Sequence, residues 1–440
     1  MNADLQLLLQ RLDGPAARYH ALDLYYRGEQ PLSFLAPEAK AALGNRFARL
    51  ASNIPRLAVT ALAERLRVTG FTGADVWSDW LRCDLDQLSG VAHREALLLG
   101  DSFVIVWADR SGRPNVTVES AKQVAVRTDP GTRNIVAAVK RWETLTTTEA
   151  VWYLPDRIVR LRSNATGATT NGFQVVEEIP NPLGVVPVVN IRNRDGILDD
   201  YGHSEVDDLM GLCDALNKSL VDQMVTSEYV GRPRRWATGT ELTEEPVLDD
   251  AGAPVLDRDG QPVTTEVNPI PEGSRAMISE AAEAKFGQLQ AADLAGYEAS
   301  VRVLLGQIMA VSTLPAHYVG VFSDNPASAD ALRAAEASLT ARAEARQATF
   351  GRSWEQVAKL MVAVATGQDP EQVATHVQWA DAATRSVAQE ADAVVKLFQC
   401  GLLPQAYALA KLGYSEDEIS VIKGVGRGTS SLNNKVKVLS

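Results

Sequence analysis

Cysteine is scarce in this 440-residue chain: Cys83, Cys213 and Cys400 stand far apart, with no C-x-x-C pair. That excludes a disulfide framework and a thiolate zinc site, and it suits a reducing cytoplasm. Histidine is scarce too. His20, His93, His203, His317 and His376 lie in unlike segments, none in an H-E-x-x-H spacing. His203 and Asp207 are four apart, but they read as a helix start with a capping acid before they read as metal ligands. No G-x-S-x-G elbow and no Walker A sequence occurs. Gly424-Val425-Gly426-Arg427-Gly428 has no phosphate-binding lysine and reads as tail. No nucleophile, metal or cofactor is therefore expected. No apolar run approaches the roughly 18–20 residues needed to cross a bilayer, so no membrane is expected. The opening MNADLQLLLQRLDG lacks the basic start of a leader peptide.

Positive charge is also short. Lys and Arg number 43 against 55 Asp and Glu, a net charge of −12. Gripping nucleic acid by phosphate neutralisation needs clustered cations, so the balance argues against it. It leaves open a protein that surrounds DNA without holding it. What is present suits a folded chain of two or three domains: 46% hydrophobic and 22% charged residues.

The first hundred residues read as helical. Asn53 to Arg67 carries a capping asparagine, a first-turn proline and apolar residues at helical spacing, and Leu85 to Leu99 ends at Gly100. Ser102–Trp107, Asn134–Trp142, Ala150–Leu154 and Phe173–Glu177 are β-branched and aromatic runs separated by turn signals. They predict a mostly antiparallel β region over 101–190. A helix is predicted from Ser204, with Asp207 at capping-box spacing, to Val230, a rod of roughly 40 Å. Residues 240–275 have no aromatic residue, and Pro-Val recurs at 246, 254 and 262. The segment predicts two short hairpin arms, too poor in apolar mass to be stable without neighbouring chains. Helix is predicted again over Ala281–Ser312, broken at Thr313-Leu314-Pro315, and over Ser328–Thr366. A strand-like piece at Thr375–Trp379 and three small helices ending near Lys423 follow, with a second capping box at Ser415 and Glu418 and a weakly structured tail.

Three charged groups carry candidate roles. Glu205, Asp207, Asp208, Asp214, Asp222 and Glu228 fall on the predicted rod, either as a solvated face or as a pore lining that repels phosphates. Arg232, Arg234, Arg235 and Trp236 mix cations with an aromatic ring. They suit pairing with a neighbouring subunit better than nucleic acid. Arg342, Glu344, Arg346, Trp354 and Glu355 are expected on exposed or inter-subunit faces of the alanine-rich helix.

Four stretches together resemble the portal proteins of siphophages, in the family common among Bacillus and actinobacterial phages. They are Asn53–Phe71 with its L-A-E-R-L-x-V-x-G-F ending, Gly202–Gly239, Leu304–Gly320 (LLGQIMAVSTLPAHYVG) and Asn325–Met361 with NPASADALRAAEA. The resemblance implies an α+β portal fold with wing, helical stem, small β-containing clip and helical crown. It also implies a homo-oligomeric ring, typically of twelve subunits, at one capsid vertex. The division implied is wing 1–203, stem helix 204–236, clip 237–278, second stem helix 279–312, tunnel loop 313–326, long wing helix and return strand 327–384, crown 385–424 and tail 425–440.

On this resemblance Asp207, Asp208, Asp214, Asp222 and Glu228 become channel-lining candidates. Thr313, His317, Tyr318, Phe322, Asp324 and Asn325 become tunnel-loop candidates. Glu244, Glu245, Asp249, Asp250, Asp257, Arg258 and Asp259 become candidates for docking terminase and head–tail adaptors. The implied partners also include major capsid and scaffolding proteins, and double-stranded DNA passing without sequence specificity. The implied place is the virion, after assembly in the host cytoplasm. A head-completion or minor capsid protein is the alternative within the structural class, and a phage nuclease the alternative outside it.

Overall fold

The computed structural model describes residues 3–34, 50–231, 235–239, 243–248, 252–257, 260–267, 282–288, 294–320, 328–383, 387–414 and 418–422. The chain forms two units, one of residues 1–19, 58–205 and 313–440, the other of residues 20–57 and 206–312. No described helix is long and apolar enough to cross a membrane.

The larger unit is built on two antiparallel sheets. Helix α1 (Ala3–Asp13) buries Leu5, Leu8, Leu9 and Leu12, one apolar stripe at helical spacing. That stripe packs on a five-stranded sheet: β4 (Val124–Thr128), β5 (Ile135–Glu143), β6 (Thr148–Tyr153), β7 (Arg157–Ser163) and β8 (Gln174–Pro180). Ala125, Ala137 and Ala150 lie under the helix, where small side chains admit its leucines. A second sheet orders β3 (Pro114–Ser120), β2 (Asp101–Ala108) and β9 (Val188–Arg192). Six consecutive residues from Asp101 are buried, so both faces of β2 are covered. Helix α5 (Leu85–Leu99) and the long helix α8 (Ala329–Thr366) both pack on this sheet. The antiparallel region expected over 101–190 is present.

Helix α8 begins where its sequence says. The Ser328 hydroxyl accepts from the Ala331 N–H at 3.2 Å, and the 38 residues that follow contain no proline. At about 1.5 Å per residue they span roughly 57 Å. The expectation for Trp354 is corrected. It is wholly buried, as are Phe350 and Trp80, and its indole N–H donates to His93 Nε2 at 2.7 Å. His93 Nδ1 lies 3.0 Å from the Leu66 carbonyl. With Nε2 accepting, Nδ1 carries the proton and the ring is neutral. Burial pushes its pKa down to about 3. The same core is closed by β1 (Val68–Thr72) pairing antiparallel with β14 (His376–Trp379). Glu355, also expected exposed, is largely buried and pairs with Arg352 and His376.

Gly100 and Gly202 touch backbone to backbone. A Cβ on Gly100 would run into the Gly202 carbonyl, and one on Gly202 into that of Gly100. The buried Asp101 secures this approach. It accepts from the Gly202 N–H at 2.7 Å, from Arg192 Nε at 2.7 Å and from Asn190 Nδ2 at 3.0 Å. Helices α9 (Val387–Gln399) and α10 (Gln405–Lys411) pack on each other and leave Phe398, Leu402 and Tyr407 exposed. A helical turn over 418–422 follows.

Candidate functional site

In the smaller unit, two helices flank a β insertion. Helix α6 (Met210–Gly231) follows a 3-10 turn at Asp207–Leu209. The rod therefore begins six residues later than expected, and its 22 residues span about 33 Å. Ser204 is buried ahead of the turn. Helix α7 (Ala295–Ser312) packs along α6. Thr226, near the end of α6, donates to the Tyr297 hydroxyl near the start of α7 at 3.3 Å, so the two run antiparallel. Leu209, Cys213, Leu216 and Val221 are buried, and burial pushes the Cys213 thiol up to about 12. Residues 20–57 hold the start of α6. The Tyr25 hydroxyl donates to Asp214 at 2.8 Å, and the Ser52 N–H donates to the buried Asn217 side chain at 2.9 Å. Burial and the Asp214 carboxylate both drive the Tyr25 pKa upward.

The acidic run is thus split by its surroundings. Asp214 is taken by Tyr25, and Asp222 pairs with Lys218 one turn back. Asp207 and Asp208 lie on the 3-10 turn, where Asp208 is exposed. The side chain of Glu228 lies outside the described residues.

Helix α7 is shorter than the sequence predicts, because Lys285–Gln288 forms strand β13. It pairs antiparallel with β10 (Arg235–Thr238) in a ribbon. Trp236 sits directly opposite Gly287, where any side chain would strike the indole ring. Trp236 thus packs within its own ribbon and is still 42% exposed. Arg232, Arg234 and the Arg235 side chain lie outside the described residues.

Beyond the ribbon, β11 (Thr243–Pro246) pairs antiparallel with β12 (Thr264–Val267). The two expected hairpin connections, Leu248 to Pro254 and Leu256 to Pro262, are drawn together with β11 and β12 into a three-sided arrangement. The Val255 N–H donates to the Val247 carbonyl, Val263 to Val255, and Val247 to Val263, each at 2.8 Å. Leu248 bridges Pro254, Leu256 bridges Pro262 and Thr264 pairs with Pro246. The physical reason lies in the eight-residue repeat. Proline has no N–H to donate, so the following valine makes each cross-link. Gly252 and Gly260, eight apart, turn the corners at φ +80° and +79°. Val247, Val255 and Val263 are exposed to 36, 38 and 39%, and Leu248 and Leu256 to 57 and 58%. Of the docking candidates, Glu244 and Glu245 are exposed on β11, and Asp257 caps a turn by accepting from the Gln261 N–H at 2.9 Å. Asp249, Asp250, Arg258 and Asp259 lie outside the described residues.

In the larger unit, the segment after α7 begins at Thr313 with φ +59°, a left-handed backbone for a β-branched residue. A 3-10 turn over Ala316–Val319 follows. His317 Nε2 lies 3.4 Å from Glu336 of α8. Arg65 donates to the same carboxylate at 3.0 Å and to the Tyr318 hydroxyl at 3.3 Å. Phe322, Asp324 and Asn325 lie outside the described residues. Glu205 is not on the rod at all. Its side chain is 5% exposed and is gripped by Arg342 at 2.6 Å, Arg346 at 3.0 Å and Asn193 at 3.0 Å. Arg342 and Arg346 therefore both pair within their own chain. Glu344 is exposed. Among the described residues, no group of three or more His, Cys, Asp or Glu side chains could hold a metal.

A profile of the family described as phage portal protein, SPP1 Gp6-like, matches residues 9–424. The chain belongs to that portal family. The portal protein of Mycobacterium phage L5 is 29% identical over 389 residues, 83% of this chain and 76% of the relative. That of Mycobacterium phage D29 is 30% identical over 384 residues, 82% of this chain and 76% of the relative. Two solved structures align with 90% of the chain at 14% identity. One is the neck of a native gene transfer agent particle computed with C12 symmetry (TM-score 0.46, 98% of that chain covered). The other is the neck of an empty particle computed with C6 symmetry (TM-score 0.47, 93% covered).

Sequence reasoning overlooked several residues that organise this portal subunit: Tyr25, Ser52 and Asn217 in the smaller unit, and Arg65 and Glu336 in the larger unit. A signal existed for the last two, which join Glu205 and His317. Arg65 stands in Asn53–Phe71, Glu205 in Gly202–Gly239, His317 in Leu304–Gly320 and Glu336 in Asn325–Met361. The four stretches that carry the portal resemblance thus contribute to two neighbouring clusters on helix α8.

Proposed function

We propose that this portal subunit closes with copies of itself into a ring, typically of twelve, at one capsid vertex. As a head–tail connector, the ring lines the channel through which the terminase packages double-stranded DNA and through which DNA leaves into the tail. In this reading α6 and α7 belong to the stem, residues 237–278 are the clip and the segment from Thr313 is the start of the tunnel loop. Asp208 and its acidic neighbours present like charge to DNA phosphates, so that DNA slides without sticking. The clip, with Glu244, Glu245 and Asp257, docks terminase and then adaptors, while capsid and scaffolding proteins surround the wing. The role is structural rather than catalytic.

One observation carries this reading. Within a chain of the portal family, two antiparallel helices flank a protrusion that keeps its valines and leucines exposed. Apolar surface held out on the end of a helical pair suits contact with other chains. Electron microscopy of the purified full-length chain tests it. Rings with an axial hole are expected, and a protein that stays monomeric at high concentration overturns the proposal.

A further inference from the structure

The chain passes between its two units at four places. Two lie inside helices, α2 (Ala16–Arg27) and α3 (Ile54–Ala63), and two lie at non-helical connections, after Glu205 and after Ser312. Both non-helical connections are fastened, on the larger unit's side, to helix α8. Glu205 is the last residue before the first connection. Arg342 and Arg346, one turn apart, hold it at 2.6 and 3.0 Å, and its own N–H donates to the Leu97 carbonyl at 2.9 Å. After the second connection, Glu336 holds His317 at 3.4 Å and Arg65 at 3.0 Å, and Arg65 reaches Tyr318. Between these two grips the chain makes its left-handed turn at Thr313.

The His93–Trp354 cluster lies further along α8 and is closed by its own hydrogen bonds. A β-branched residue held at positive φ persists only where its surroundings over-determine it, and such strain gathers where a segment has to be set in position. The Glu336 carboxylate, with a side chain 12% exposed, lies just downstream of the Thr313 turn against His317 and Arg65.

We infer that helix α8 is a common post for both connections, and that Glu336 is a positioning residue that sets residues 313–320 through His317 and Arg65. Its functional consequence, control of the start of the tunnel loop, rests on the portal reading. The positioning itself does not.

Hydrogen exchange on the full-length chain, as ring or as monomer, tests the inference. Glu336→Gln is expected to raise exchange over 313–320 about tenfold while leaving 203–209, the His93–Trp354 core and the thermal midpoint unchanged. Glu336→Asp should restore most of the protection. Arg342→Gln with Arg346→Gln should act in the opposite sense, loosening 203–209 and leaving 313–320 in place. Unchanged exchange over 313–320 in Glu336→Gln overturns the inference. So does a rise spread equally over the core, which would make Glu336 only a stabilising residue. Should Glu336→Gln fail to fold, His317→Gln, which leaves the Arg65 pair intact, must show the same local rise or the inference falls. A chain that never forms rings would remove the portal reading and leave these exchange results standing. In particles, Glu336→Gln should lower DNA retention at unchanged particle number.

Discussion

In the larger unit Trp80, Phe350 and Trp354 are wholly buried, whereas at the tip of the smaller unit's β insertion Val247, Val255 and Val263 keep 36, 38 and 39% of their surface exposed. The first region is ordered by removing aromatic surface from water and by the two hydrogen bonds that hold the His93 ring inside it. The second is ordered by three backbone hydrogen bonds that close on themselves, with its apolar side chains facing out. Order reached through backbone closure leaves side chains available for contact, whereas order reached through burial consumes them. That contrast suits a rigid body carrying a docking end.

The largest expected effect breaks the buried side. Trp354→Ala removes a fully buried indole and the donor to His93, and should destabilise the larger unit by about 3–5 kcal/mol. Thermal unfolding of the full-length chain, followed by tryptophan fluorescence and far-ultraviolet dichroism, checks it. Hydrogen exchange at the tip should not change, because the tip's bonds are its own.

Acid sharpens the comparison next. His93 is neutral in the fold with a pKa near 3, against an ordinary value of 6.5. The unfolded chain therefore binds the extra proton first as pH falls. Stability from this residue is complete above about pH 6.5 and declines from there to about pH 3, by up to about 1.4 kcal/mol per unit. Going from pH 6.5 to 5 should cost about 2 kcal/mol. In His93→Gln, whose amide does not titrate, that part of the slope should vanish even though the variant is less stable overall. Urea unfolding midpoints at several pH values, compared between the two proteins, decide it.

How much of this could be read from the sequence differs between the two regions for physical reasons. Helix α8 was legible because a capping serine, a long run without proline and an alanine-rich composition all act locally. Strand β13 was not. Lys285–Gln288 lies among helix-forming alanines and glutamates, and only its pairing with Arg235–Thr238, with Gly287 making room for Trp236, draws it into a ribbon. β1 and β14 pair across some 300 residues of chain, which no local pattern reveals. Glu205 looked like one more acid on a rod, since its burial depends on two arginines far along the chain. The Pro-Val repeat was plain to see, but its closure was not. Two hairpins and one three-sided turn share the same turn residues, and only the bond from Val247 back to Val263 distinguishes them.

The smallest expected effect on stability is also the most discriminating, because it separates closure from contact. Gly260→Ala places a Cβ at a corner with φ +79°, a backbone that costs an L-residue roughly 1–2 kcal/mol. Among the described residues nothing lies within 4 Å of that Cβ, so the penalty comes from the local backbone. Exchange of the Val255 and Val263 amides should rise while the thermal midpoint of the larger unit stays put. Leu248→Ser with Leu256→Ser leaves every backbone bond of the tip in place, removes only exposed surface, and should move stability by no more than about 0.5 kcal/mol. If the leucines serve contact, the serine variant should lose assembly or partner binding with its amides still protected, and the alanine variant should lose protection first. Should the serine variant instead lose amide protection, the leucines are holding the tip together, and the division between a buried body and a self-closed end does not hold.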